Sequence, residues 1–224
     1  MINMESLQLD IMEISGAVLL IATFGVIARR GFMDWLNAYR LQSIVLAGVT
    51  AVIGYVTGIW EIYVVAILTL LIKSIAIPKV LTYVTRRLEV EFKTETNPYL
   101  SLRASIIVSA LLVALSYFFS QQLPFKSDPV VGIYLPVSMA QFFLGLLALV
   151  NRRTALSQIV GLLVIENGLF LFTLALTHGV SLIIEIGIFA DILVGIVISS
   201  ILLFRMSRTF DSLDVGNLEN LRDD

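Results

Sequence analysis

Lys73 stands in "LTLLIKSIAIP", Glu166 in "LLVIENGLFLF" and Asp191 in "EIGIFADILVG", each flanked on both sides by apolar residues. An isolated Asp or Lys at the centre of a membrane helix costs roughly 2.5–3.5 kcal/mol on insertion scales. Residues kept against that cost face a bundle interior or a wet cavity, pair with one another, and often mark ion paths. The chemistry on offer is proton transfer, because a change of hydration around a buried carboxyl loads or releases a proton. The plainer alternative is a structural ion pair, or a neutral hydrogen-bonded carboxyl that holds helices together. Counting by fours from Asp191 gives Gly187, Gly195 and Ser199, a face of small or polar residues that a partner helix or water can approach. Gly168, beside Asn167 and close to Glu166, allows the same.

Pro78 has no N–H to give the carbonyl of Ser74, so the helix carrying Lys73 is expected to bend and to leave a polar kink one residue past the lysine. Glu13, Glu61 and Glu185 fall near the other ends of their segments, where carboxylates line an outward funnel or simply meet solvent. Arg40 lies within snorkelling reach of the opposite face, as does Lys79. His178 reads as a surface loop residue. No catalytic, cofactor-binding or metal-binding set emerges. The chain has no Cys and one His, which leaves no thiolate metal site, no bis-histidine haem and no disulfide within it.

The elements that must position these residues follow from composition. Of 224 residues, 58% are hydrophobic and 14% charged, and mean hydropathy is +0.94, which is far from a soluble domain and fits a polytopic membrane protein. No nucleotide-binding glycine motif is present, and a net charge of −2 without a basic cluster argues against nucleic acid. The acidic start "MINMESLQLDIMEIS" is unlike a signal peptide, so the first apolar segment reads as a retained helix. Apolar length against polar breaks predicts an all-α integral membrane fold of about seven transmembrane helices, near 9–28, 36–58, 61–84, 101–120, 131–150, 155–177 and 182–204.

Lys and Arg crowd alternate breaks, through Arg29, Arg30, Arg86, Arg87, Lys93, Arg103, Arg152, Arg153, Arg205, Arg208 and Arg222, while the other breaks hold only Lys126. The positive-inside rule then gives an N-out, C-in orientation. The chain divides into a three-helix unit with a charged inner loop (1–100), a connecting helix and outer loop (101–130), a second three-helix unit (131–204) and a polar tail (205–224). Paired arginines after the first helix of each unit suggest a repeat, although positive-inside bias alone spaces arginines in the same way.

"GLLVIENG" at 161–168, "EIGIFAD" at 185–191, "SLDVGNLENL" at 212–221 and "LIKSIAIP" at 71–78 together resemble hydrogenase-4 component E, over most of the chain. That family is the integral membrane subunit of formate-hydrogenlyase-type group 4 nickel–iron hydrogenases. The last three predicted helices also resemble subunit K of respiratory complex I, in which two helices carry mid-membrane glutamates on a proton path. By that resemblance Asp191 matches the third-helix acid. Leu163 falls where subunit K has its other glutamate, and Glu166 comes three residues later.

The resemblance implies a non-catalytic subunit of a redox-driven, ion-pumping membrane arm, in a prokaryotic inner membrane. Asp191, Glu166 and Lys73 would serve the proton or sodium path, with Glu185, Glu61, Glu13 and Arg40 as secondary candidates. It further implies that the clusters and nickel sit in partner chains, with no cofactor in this one. The partners would be antiporter-like and complex I-like membrane subunits and a peripheral redox arm, which Leu213, Val215, Leu218 and Leu221 of the tail would help to anchor. Two other functions remain open on the sequence: a scaffold joining those subunits without conducting ions, and a stand-alone secondary transporter.

Overall fold

The computed structural model describes residues 4–29, 31–87, 98–124, 128–153 and 155–177. Among these residues every regular element is helical. The order is α1 (Met4–Ile27), α2 (Phe32–Thr57), α3 (Glu61–Thr69), a π-helical segment (Leu70–Ala76), α4 (Ile77–Arg87), α5 (Leu102–Ser120), α6 (Pro129–Val150) and α7 (Ala155–Thr177). Among the described residues six helices are long and apolar enough to cross a membrane, counting α3, the π segment and most of α4 as one. They match the first six predicted spans within a few residues. The seventh predicted span, the tail, Glu185 and Asp191 lie outside the described residues, and so does the last helix of the suggested repeat.

Side-chain caps fix two starts. The Ser101 hydroxyl accepts from the Ala104 N–H at 3.3 Å, and Asp128 Oδ1 accepts from the N–H groups of Val130 and Val131 at 2.8 and 3.3 Å. Pro129 then occupies the first turn of α6, where its missing N–H costs nothing.

α1, α2, α6 and α7 form the centre: α1 packs on α2 and α6, and α7 packs on α6 and α2. The third span lies against α2, and α5 lies outside α6. Ser105, Ser109 and Ser116 are the buried residues of α5, and their hydroxyls bond to carbonyls one turn back, so small side chains set the α5 contact face. The tightest contact joins α6 and α7. A Cβ added to Gly145, Gly161 or Gly168 would come within 2.6 Å of a backbone nitrogen on the facing helix, so the two backbones touch where side chains normally intervene.

One end of the bundle carries most of the described cations. The α1–α2 turn brings Arg29, the end of α4 Arg86 and Arg87, the start of α5 Arg103, and the α6–α7 turn Arg152 and Arg153. Arg152 locks this end. Its guanidinium donates to the carbonyls of Ile27 (3.2 Å) and Arg29 (3.0 Å) and stacks 3.7 Å from the Trp35 ring. It thereby caps α1, whose last carbonyls have no helical donor. The Trp35 indole N–H also donates to the Arg29 carbonyl. Asn151 holds the start of α5, accepting from the Leu100 N–H (2.6 Å) and donating to Ser105 Oγ (3.0 Å).

Two apolar cores fill the bundle. Toward the basic end are Val26, Trp35, Leu36, Tyr39, Ile77, Leu81, Val160 and Val164; toward the other end are Leu19, Leu46, Ile53, Ile62, Val65, Tyr134, Leu171 and Leu174. Between the two cores α2 buries Gln42 and Ser43, the third span Thr69, Lys73 and Ser74, and α7 Asn167, which together make a polar layer.

Candidate functional site

Lys73 lies in the π segment and is fully buried. Its Nζ donates to Glu166 Oε1 at 2.7 Å and to Asn167 Oδ1 at 2.9 Å, and sits 4.5 Å from the centre of the Phe170 ring. The ammonium thus meets an anion, a carbonyl dipole and an aromatic face, all from two turns of α7. Such full compensation is what a buried lysine requires, since a lone charge in this medium carries a desolvation penalty of several kcal/mol. Glu166 is enclosed but not sealed, with its side chain 15% exposed. Its Oε2 has no hydrogen-bond partner among the described residues.

Asn167 extends the site toward α1. Its Nδ2 lies 3.5 Å from both Gln42 Oε1 and Ser43 Oγ. Gln42 Nε2 donates to Thr23 Oγ1 at 3.0 Å, and the Thr23 hydroxyl donates to the Leu19 carbonyl at 2.8 Å. Donors and acceptors alternate in one direction from Lys73 to Leu19, so the amide orientations support one another. Amides neither take up nor release a proton near neutral pH. The chain through Asn167, Gln42 and Thr23 therefore positions Lys73 and fixes the registers of α1, α2, α7 and the third span.

Local sequence explains why Lys73 sits here. The buried residues of the third span include Thr69, Lys73, Ile77, Leu81 and Thr85, spaced by four. An α-helix turns once in 3.6 residues, so a strict step of four drifts off one face unless a wider turn absorbs the excess. The π segment supplies that turn, and the Ile77 N–H reaches back five residues to the Ile72 carbonyl. Pro78 leaves the Ser74 carbonyl without its helical donor, as expected. Arg40 Nε fills the place, donating to that carbonyl at 3.2 Å. The expected polar kink is thus a π-helical segment pinned by an arginine from α2, and Arg40 does more than snorkel.

Of the predicted site residues, the structure brings Lys73 and Glu166 into contact and ties Arg40 to the neighbouring turn. Glu13 and Glu61 are exposed, away from the polar layer and toward the end opposite the basic one. Asp191 and Glu185 lie outside the described residues. Sequence reasoning centred on charges overlooked Thr23, Gln42, Ser43 and Phe170. The signal was present in Gln42, an amide in the apolar run "LQSIVLAG" whose only use there is to bond. Gln141 of α6 is a further case: it is fully buried, and neither amide atom has a partner among the described residues. Its neighbour Phe142 touches Gly168 of α7, which sets Gln141 near the height of Asn167.

Comparison with known proteins gives full-length similarity. The chain is 27% identical over 212 residues to "Hydrogenase-4 component E" of Escherichia coli (strain K12), covering 94% of this chain and 96% of that protein, and to the same degree to the Shigella flexneri protein of that name. It is 24% identical over 213 residues to an uncharacterized protein of Mycobacterium tuberculosis, covering 95% and 96%. No family model and no solved structure matches. Similar from end to end to hydrogenase-4 component E proteins and folded as a bundle of membrane-length helices, the chain is a multi-pass membrane protein.

Proposed function

We propose that this chain is a membrane subunit of a hydrogenase-type complex, and that its Lys73–Glu166 pair relays protons within the membrane arm. The observation that carries the reading is a salt bridge of 2.7 Å at a fully buried lysine, set in a polar layer between two apolar cores. A buried pair is tolerated because its net charge is zero. A proton arriving at Glu166 Oε2 turns the carboxylate into a carboxylic acid and leaves Lys73 as an uncompensated cation. That penalty drives Lys73 to release a proton to the next acceptor, after which the acid can return its own proton to the lysine. One proton enters, one leaves, and the pair is restored. Asp191, matched by family resemblance to an acid on the following helix, is the proposed next group. Redox chemistry belongs to partner subunits on this reading, and the positive-inside rule puts the basic end in the cytoplasm of a prokaryotic inner membrane.

The test is proton uptake by inverted vesicles that contain the assembled complex, alongside its electron-transfer rate. Glu166→Gln and Asp191→Asn are each expected to cut protons moved per electron pair by at least half while assembly persists. Unchanged stoichiometry in both variants, with normal assembly, would sink the proposal. A second reading has its own support. Glu166, Asn167 and Phe170, which meet Lys73, all belong to α7, so the pair also ties the third span to α7, as a pure scaffold would require. It expects the same variants to reduce assembly while any assembled complex pumps normally.

A further inference from the structure

A groove of about 470 Å³ opens between α2 and α4 at the basic end of the bundle. Its polar lining includes Asn37 and Arg40 from α2 and Lys79, Tyr83 and Arg86 from α4, with no carboxylate among the described residues. Neither Lys79 nor Arg86 has a hydrogen-bond or ion-pair partner among the described residues. Met33, Leu36 and Pro78 complete the walls. Three cations converging on one concave site without an anion form a strongly positive cavity beside low-dielectric protein, where a counter-charge binds best.

The surroundings select the kind of anion. Steps of three and four along α2 lead from Asn37 to Leu41 and Ile44; steps of four back along the third span lead from Lys79 to Ile75 and Leu71. All four apolar residues are exposed, by 57%, 46%, 37% and 50% in that order. An apolar strip therefore runs from the membrane interior to the mouth of the groove. Lys79 lies about 12 Å from the end of α4, and Arg40 about as far from the start of α2, depths from which long basic side chains reach the headgroup level. Basic pockets between helices at that level suit phosphate headgroups. A free anion would use the cations and leave the strip unused.

We propose that this groove binds an anionic phospholipid, its phosphate held by Lys79, Arg86 and Arg40 and its acyl chains lying on Leu41, Ile44, Leu71 and Ile75. Arg40 also holds the Ser74 carbonyl beside Lys73, so the bound lipid would sit one arginine away from the buried pair. The site stands on the groove itself and does not depend on proton relay.

The full chain, purified in mild detergent and offered equal phosphatidylglycerol and phosphatidylcholine, is examined by native mass spectrometry for retained lipid. The wild type is expected to prefer phosphatidylglycerol by about a hundredfold, each of the three basic residues near the anionic headgroup contributing roughly fivefold. Lys79→Gln with Arg86→Gln should lower the preference about 25-fold, and Lys79→Gln alone, at an exposed position, about fivefold. The charge-retaining pair Lys79→Arg and Arg86→Lys should keep it, as should Arg103→Gln, which removes a cation of the same end outside the groove. Excess inorganic phosphate should not displace the lipid. No preference in the wild type, an equal preference after Lys79→Gln, or displacement by inorganic phosphate would each overturn the proposal, the last by identifying a site for free anions.

Discussion

Glu166 and Lys73 differ from ordinary buried side chains in that each makes the other tolerable. Removing one partner of a buried pair strands a charge and costs about 3–5 kcal/mol, whereas replacing both with apolar groups is often neutral. Lys73→Met and Glu166→Leu are each expected to lower unfolding stability by about that amount, and the double variant to recover most of it. Denaturation of the purified chain checks this, and additive losses would contradict the pairing. Gln42 bridges Thr23 and Asn167, and interhelical hydrogen bonds in membranes average about 0.6 kcal/mol, so Gln42→Leu should cost roughly 1 kcal/mol for its two bonds. Gln141 should behave in the opposite way. Its buried amide has no partner among the described residues, and an unsatisfied polar group carries a penalty of about 1–3 kcal/mol. Gln141→Leu is expected to hold or raise thermal stability, and a marked loss would mean that the amide is satisfied in the folded chain. Charges could be read from the sequence because a lysine or glutamate in an apolar run is conspicuous. The partners could not, since Thr23 and Gln42 are 19 residues apart and meet Asn167 only through packing.

The helices were legible because membrane length and polar breaks bound them, and the first six lie within a few residues of where the apolar runs put them. Pro78 likewise announced a carbonyl without a donor. The means of repair was hidden, because a proline in a membrane helix can be accommodated by a bend, a π turn or a donor from elsewhere. Here the third span uses the last two, with Arg40 as the donor. The step of four through Thr69, Lys73, Ile77, Leu81 and Thr85 was the overlooked trace of the wide turn. At the α6–α7 contact the glycines are decisive. Gly168→Ala would set a methyl 2.6 Å from the Phe142 nitrogen, and a helix backbone cannot yield locally. The helices must separate, at a cost of about 1–3 kcal/mol, and Asn167 and Glu166 must shift relative to Lys73. Thermal unfolding of the purified variant checks the loss, and an unchanged transition would contradict the close approach.

At the scale of the whole molecule the chain is a bundle with a charge polarity and a polar layer at mid-height. Glu5, Asp10, Glu13, Glu61 and Asp128 belong to one half, and the described arginines collect at the other end. With no native cysteine, single-cysteine labelling reads the orientation cleanly. Arg103→Cys should react only with a reagent admitted to the cytoplasm and Glu61→Cys only with one kept outside; the reverse pattern would invert the topology proposed here. The central claim is that Glu166 changes protonation during turnover, and redox-difference infrared spectroscopy of the assembled complex tests it most directly. A carboxyl band that appears on reduction and is lost in Glu166→Gln, with electron transfer intact, is the result expected. A difference spectrum identical in the variant and the wild type would contradict the account.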